Sequence, residues 1–282
     1  MASNFMTTQP ATGGPASGSP APSGIITLLT DFGTGSHYVA AMKGVILSLN
    51  RQAEIVDLTH GIRPQDIRQG AWTLAEVAER FPAGTIHVGV VDPGVGSGRR
   101  IVYAALGEQY FVAPDNGLLS RLALRSRPSK IVSIEDPRFW RPSVSCTFHG
   151  RDIMAPVAAH LSLGLHPDEL GQALGELVML DWAEVHVLPG KIQGTVSSID
   201  SFGNLITDIT SDMLRDTPTG EDTRVACDEH ETLGIFRTYA DQPPMTLVAL
   251  IGSSGYLELA IVGDSAAAML GIRSGTPVTV SW

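Results

Sequence analysis

Through the first part of the chain, short apolar runs bounded by turn residues alternate with stretches of helical period. Residues 25–29 form a β-rich run that stops at Thr30-Asp31-Phe32-Gly33, and Ser36 is placed to cap a helix over residues 38–49. Residues 54–58 predict a second strand, and residues 66–80 a helix whose Ile67, Ala71, Leu74 and Ala78 share one face. A third strand is expected over residues 85–90, followed by a hairpin of residues 100–106 and 110–113 about Gly107. Asn116 is placed to cap a short helix through Leu124, residues 130–133 return as a strand, and residues 153–163 form a helix carrying the small Ala155, Ala158 and Ala159. Strands and helices alternating in this way predict an α/β domain with a mostly parallel sheet wrapped by helices.

Past this point the pattern changes. It weakens from Gly164 to Pro189, and then only short β runs remain, at residues 194–200, 205–209, 224–227, 245–251, 256–261 and 277–280, with one helical segment at 266–270. Many short strands in a small region predict a small all-β, barrel-like domain. The expected division is a disordered tail over 1–23, rich in Ala, Pro, Gly, Ser and Thr, then an α/β domain over 24–170, a linker over 171–190 and a β-barrel domain over 191–282.

Composition narrows the class of ligand. With 43% hydrophobic and 17% charged residues the chain can bury a full core, and a formal net charge of −10 argues against a nucleic-acid surface. Cys146 and Cys227 lie far apart and lack metal-ligand spacing, so buried thiols are expected and no metal site. No run approaches the roughly 20 apolar residues of a membrane span, and no signal peptide is visible, which makes a cytoplasmic protein with small-molecule or protein ligands the expectation.

Four polar stretches could carry chemistry. The strand ending at Val90 runs into Val91-Asp92-Pro93-Gly94-Val95-Gly96-Ser97-Gly98-Arg99, where Pro93 favours extended geometry at Asp92 and the glycines let Arg99 turn back towards it. In open α/β sheets ligands bind beyond the carboxyl ends of strands, which is where Asp92 and Asp31 are expected. A strand-end carboxylate such as Asp31 suits a ribose diol. His149 sits in Phe148-His149-Gly150-Arg151-Asp152, flanked by residues that make a plain core position less suitable. In the second region, Asp200, Phe202 and Asn204 put a carboxylate, an aromatic face and an amide within one turn, and residues 251–258 offer Ser- and Gly-rich N–H donors for a carboxylate. Each stretch alone also has a plain structural reading: a turn for those of Asp31, Asp92 and Asp200, and a satisfied core histidine for His149.

Taken in order, TDFG (30–33), THGIRPQDIRQGA (59–71), VDPGVGSGRR (91–100), APDNG (113–117), FHGRDIMAP (148–156), IDSFGN (199–204) and GSSGYLELA (252–260) resemble the S-adenosylmethionine (SAM) hydroxide adenosyltransferases, hydrolytic relatives of the fluorinases and chlorinases. The resemblance implies attack of water or hydroxide on ribose C5′ of SAM, releasing adenosine and L-methionine, with SAM as the substrate and no cofactor. It also implies a homotrimer with sites between subunits. Its catalytic set falls on Asp92, Arg99 and His149, with either Asp92 or His149 accepting the proton. Its substrate-binding positions fall on Asp31 for the ribose, Asp200 for the methionine ammonium, Ser253 for the methionine carboxylate, Phe202 and Asn204 for the adenine, and Tyr256 in the same GSSGYLELA motif.

Halide-using members of that group carry a Trp in the 63–66 segment, a Tyr and a Thr in the strand-end loop and a Ser after the Phe of FHGRD, whereas this chain has Gln65, Asp92, Val95 and Gly150. Hydroxyl donors to a halide are lost and a carboxylate that repels anions is gained. The run Ile261-Val262-Gly263-Asp264 lacks an Asn common in relatives, which leaves its adenine contacts open. The alternatives to a hydrolase are a halide-using enzyme and a protein that binds SAM or adenosine without turnover.

Overall fold

The computed structural model describes residues 20–282, which divide after Met179 into two compact units. Of the tail expected over 1–23, residues 1–19 lie outside the described residues. From Pro20 the backbone is tied to the first unit: Tyr110 Oη donates to Pro20 O, and Ser23 N donates to Gly84 O at 3.0 Å.

The first unit runs β1 (Ile25–Thr30), α1 (Tyr38–Leu49), β2 (Glu54–Thr59), α2 (Ile67–Val77), β3 (Ile86–Val90), β4 (Ile101–Leu106), β5 (Gln109–Pro114), α3 (Ser120–Arg125), β6 (Lys130–Ser133) and α4 (Ala155–Ser162). Its sheet has the order β2-β1-β3-β5-β4-β6, parallel from β2 through β5 and antiparallel across β4 and β6. Central β3 is buried at every position and β1 from Ile26 onward, as a strand covered on both faces requires. Ile26, Leu28, Ile86 and Val88 form the core with Met42 and Ile46 of α1 and Val157, Ala158 and Leu161 of α4.

Three expected local features differ. Ser36 does not cap α1: its hydroxyl donates back to Phe32 O at 3.1 Å, and the N-cap is His37, without a side-chain bond. Asn116 does not open a helix either, because α3 begins at Ser120, and Asn116 instead donates to Val91 O at 2.9 Å and accepts from Leu118 N. Before α4 the chain makes a π-helical turn over Gly150–Met154, which the apolar period alone does not reveal. Asp66, expected as the first residue of α2, is its N-cap instead, accepting from Gln69 N at 2.8 Å.

The second unit runs β7 (His186–Leu188), β8 (Lys191–Ile199), β9 (Leu205–Thr210), β10 (Arg224–Cys227), β11 (His230–Leu233), β12 (Leu247–Ile251), β13 (Tyr256–Ile261), α5 (Ala266–Leu270) and β14 (Pro277–Ser281). All pairings between its strands are antiparallel, in the order β11-β10-β14-β8-β9-β13-β12 with β7 on β8. Register shifts in β8 and β13 bend the sheet, and a bridge from Phe236 to Leu250 of β12 nearly closes it into a barrel around Ile192, Val196, Leu205, Val225, Leu257 and Val280. Strands β7 and β11 are absent from the sequence expectation, since β7 is exposed throughout and β11 alternates without a buried position.

Candidate active site

Parallel pairing of β1 with β3 sets Thr30 opposite Val90, so the acids that follow these strands, Asp31 and Asp92, emerge at the same edge of the sheet. They line a cavity of about 240 Å³ with Gln65, Val95, Thr147 and His149. Asp31 is fixed by Gln65, whose backbone N donates to Oδ2 at 2.7 Å from a left-handed conformation (φ 66°) unusual for a residue with a Cβ.

Arg99 returns to Asp92 as its loop predicts. Its Nε lies 2.8 and 3.0 Å from the two carboxylate oxygens, and its Nη2 donates to Oδ2 and lies 2.9 Å from His149 Nδ1. The side chains of Asp92 and Arg99 are 5% and 11% exposed, which shields the pair from screening. Gly96 makes this approach possible: it has φ +78°, and a Cβ there would sit 2.4 Å from Cys146 O, so only glycine lets the loop pack on the segment leading to His149.

Behind the histidine, fully buried Asp152 accepts from Arg151 at 2.7 Å, Arg141 at 3.1 Å and Ser145 N at 2.9 Å. Burial pushes its carboxyl up, but the Arg151 bond, the Ser145 N–H and Arg141 outweigh it and leave the group below the usual carboxylate range. His149 is also shifted down, by burial first and the Arg99 guanidinium second, against the pull of Asp92 and Asp152. A guanidinium has only donors, so Nδ1 of His149 accepts, and the neutral ring carries its proton on Nε2.

The remaining candidates lie in the second unit. Asp200 closes a turn by accepting from Phe202 N and Asn204 N at 2.9 Å and from Asn204 Nδ2 at 3.0 Å. That turn projects Phe202, 77% exposed, while Asn204 is buried. Together with Ser253 and Tyr256 they line a cleft of about 990 Å³. The same cleft holds Arg237, Tyr239 and Glu258, which sequence reasoning missed. Glu258 carried a signal, a lone charge in the buried run of β13; Tyr239 opens a single 3-10 turn, Tyr239–Asp241, too short to show a period.

Among the described residues no group of His, Cys, Asp and Glu could hold a metal ion, and no helix is long and apolar enough to cross a membrane.

Similarity to known proteins follows the same two units. The sequence model of the SAM hydroxide adenosyltransferase N-terminal domain matches residues 26–171, and that of the C-terminal domain residues 194–279. A protein of Thermus thermophilus named (R)-S-adenosyl-L-methionine hydrolase is 38% identical over 261 residues, 90% of this chain and 98% of that protein. A fluorinase of an Actinoplanes species is more distant, at 28% over 95% of this chain and 99% of that one. A crystal structure of an uncharacterized conserved protein from Thermotoga maritima superimposes with a TM-score of 0.87 at 35% identity, covering 91% of this chain and all of that one. Matched along nearly its whole described length, in both units, the chain belongs to the SAM hydroxide adenosyltransferase family.

Proposed function

We propose that the protein hydrolyses SAM at ribose C5′, giving adenosine and L-methionine. The observation that carries this reading is the Asp92–Arg99–His149 chain at the end of β3, a buried ion pair continued onto a histidine held neutral at physiological pH. A water oxygen forms a bond to C5′ as the C5′–S bond breaks and its electron pair returns to sulfur. The leaving group is a neutral thioether, so no general acid is needed there.

What the reaction lacks is a positioned nucleophile and a proton acceptor. With Nδ1 occupied by Arg99, His149 offers an Nε2–H donor that orients the water, which leaves Asp92 as the group that takes its proton. Arg99 orients Asp92 through both of its bonded nitrogens and offsets the developing hydroxide charge. Asp31 binds the ribose hydroxyls, Phe202 and Asn204 the adenine, and Asp200, Ser253 and Tyr256 the methionine end. No metal or cofactor takes part.

The name of the Thermus relative specifies the (R) sulfonium, and the same configuration is proposed here. The working form is a homotrimer in the cytoplasm, with each site between subunits; the two free thiols, Cys227 buried as expected and Cys146 exposed against expectation, suit a reducing compartment.

Turnover of (R)- and (S)-SAM in ¹⁸O-labelled water tests the reading. Label in the 5′-hydroxyl of adenosine, with (R)-SAM preferred, is the expected result. Label in methionine, or 5′-haloadenosine formed when chloride or fluoride is added, overturns it. Light scattering of the purified chain at three times its mass is expected for the trimer.

A further inference from the structure

Strand β13 lies between β9 and β12, and its side chains alternate. Leu257, Leu259 and Ile261 enter the core of the second unit, so Tyr256 and Glu258 face the other way, into the cleft. Register sets Glu258 opposite Ile206 of β9 and Leu250 of β12, both of which also line the cleft. Glu258 is therefore an acid set in an apolar wall, 6% exposed.

Its position is built rather than incidental. The Tyr239 hydroxyl donates to Oε1 at 2.5 Å. Oε2 fills the space beside Gly252, where a Cβ would lie 2.6 Å from it. Burial holds the carboxyl above its usual range; Asp200 adds to this, and the Tyr239 bond opposes it. The side chains bonded to the two acids, Tyr239 and Asn204, are both neutral. Arg237 and Asp264 are the other charged groups lining the cleft. Two acids that repel each other in a partly apolar cleft favour a bound cation.

Resting on the SAM reading above, we propose that Glu258, held by Tyr239, determines specificity by joining Asp200 in selecting the α-ammonium of the substrate's methionine end. The sulfonium is cationic too, but it donates no hydrogen bond and cannot use an acceptor pair.

The test compares SAM with its deaminated analogue, which keeps the sulfonium and lacks the ammonium, in wild type, Glu258→Gln and Tyr239→Phe. Kd is read by calorimetry with each variant placed in an Asp92→Asn background, and kcat and KM by adenosine formation without that substitution. Hydrogen bonds between charged groups predict that Glu258→Gln weakens SAM binding about 10- to 100-fold while the analogue changes little, so that discrimination between the two collapses. KM rises more than kcat falls. Tyr239→Phe keeps the acid and produces the same shift at smaller size, about 3-fold, and it stands in if Glu258→Gln does not fold. Equal losses for both ligands, or none for either, overturn the proposal. Because Kd is read in the Asp92→Asn background, where the proposed general base is absent and SAM persists through the titration, failure of the parent enzyme to form adenosine counts against the hydrolase reading alone.

Discussion

The two units build their pockets by opposite means. In the first, two acids emerge from adjacent parallel strands, and a glycine loop brings an arginine and a histidine onto one of them, in a cavity of about 240 Å³. In the second, a single turn and the outer face of a barrel strand line a cleft of about 990 Å³ whose aromatic side chain stands 77% exposed. Small and charged suits handling a nucleophile; wide and partly apolar suits gripping a nucleoside and an amino acid. Substitutions in the Asp92–Arg99–His149 chain of the first pocket should therefore act on kcat, and substitutions in the second, like those at the ribose-binding Asp31, on KM.

Asp92→Asn separates the two most strongly. Loss of a general base is expected to lower kcat about 10²- to 10⁴-fold with KM changed little, measured by steady-state adenosine formation. A dominant rise in KM would break the comparison. Gly96→Ala is next: the added methyl meets Cys146 O and displaces the Asp92–Arg99 loop from His149, and misplacement of about 1 Å can cost 10²-fold in kcat. Phe202→Ala should raise KM about 10-fold through lost stacking on the adenine and leave kcat within a few-fold. If Phe202→Ala instead lowers kcat alone, the two pockets do not divide their work as proposed.

The smallest effect is on stability and belongs to the first unit. His87 in β3 is fully buried, bonded to Thr27 Oγ1 at 2.7 Å and stacked on Phe111, and burial lowers its pKa from 6.5 to about 4. A base whose folded pKa is depressed is neutral in the fold and takes up its proton on unfolding, so its contribution is present above pH 6.5 and is lost as pH falls towards 4. Between pH 7 and 5.5 this amounts to about 1 kcal/mol, readable as a fall in urea midpoint that His87→Gln should flatten.

Acidification acts on the site as well. His149 is neutral because its pKa is depressed, and a protonated ring would set an N–H of Nδ1 against the Arg99 donor. Activity should fall on the acid side through a pKa below the ordinary histidine value, with the acid limb absent in His149→Ala.

Local chemistry was legible where the chain makes its own constraint. Asp92, Pro93 and the glycines predict the return of Arg99, and the Asp200 to Asn204 turn closes on itself, because the bonds span at most seven residues. Caps were less legible. Ser36 and Asn116 have the right chemistry, but each found a partner elsewhere: Phe32 O for one, and Val91 O, 25 residues away in sequence, for the other. Tyr239 and Glu258 meet across 19 residues that include all of β12, a contact that no periodicity encodes.

Two kinds of architecture can be read along the chain, a strand and helix alternation followed by short strands alone, together with the motifs that place an acid after β1 and after β3. Those follow from side-chain period and turn chemistry, which act over a few residues. Packing between distant segments makes β1 and β3 neighbours so that Asp31 and Asp92 lie side by side, brings Arg99 to His149 across 50 residues, and turns Glu258 to a cleft rather than the core. Strand order, register and the close approach allowed by Gly96 set these, and each is fixed by packing between segments distant in the chain.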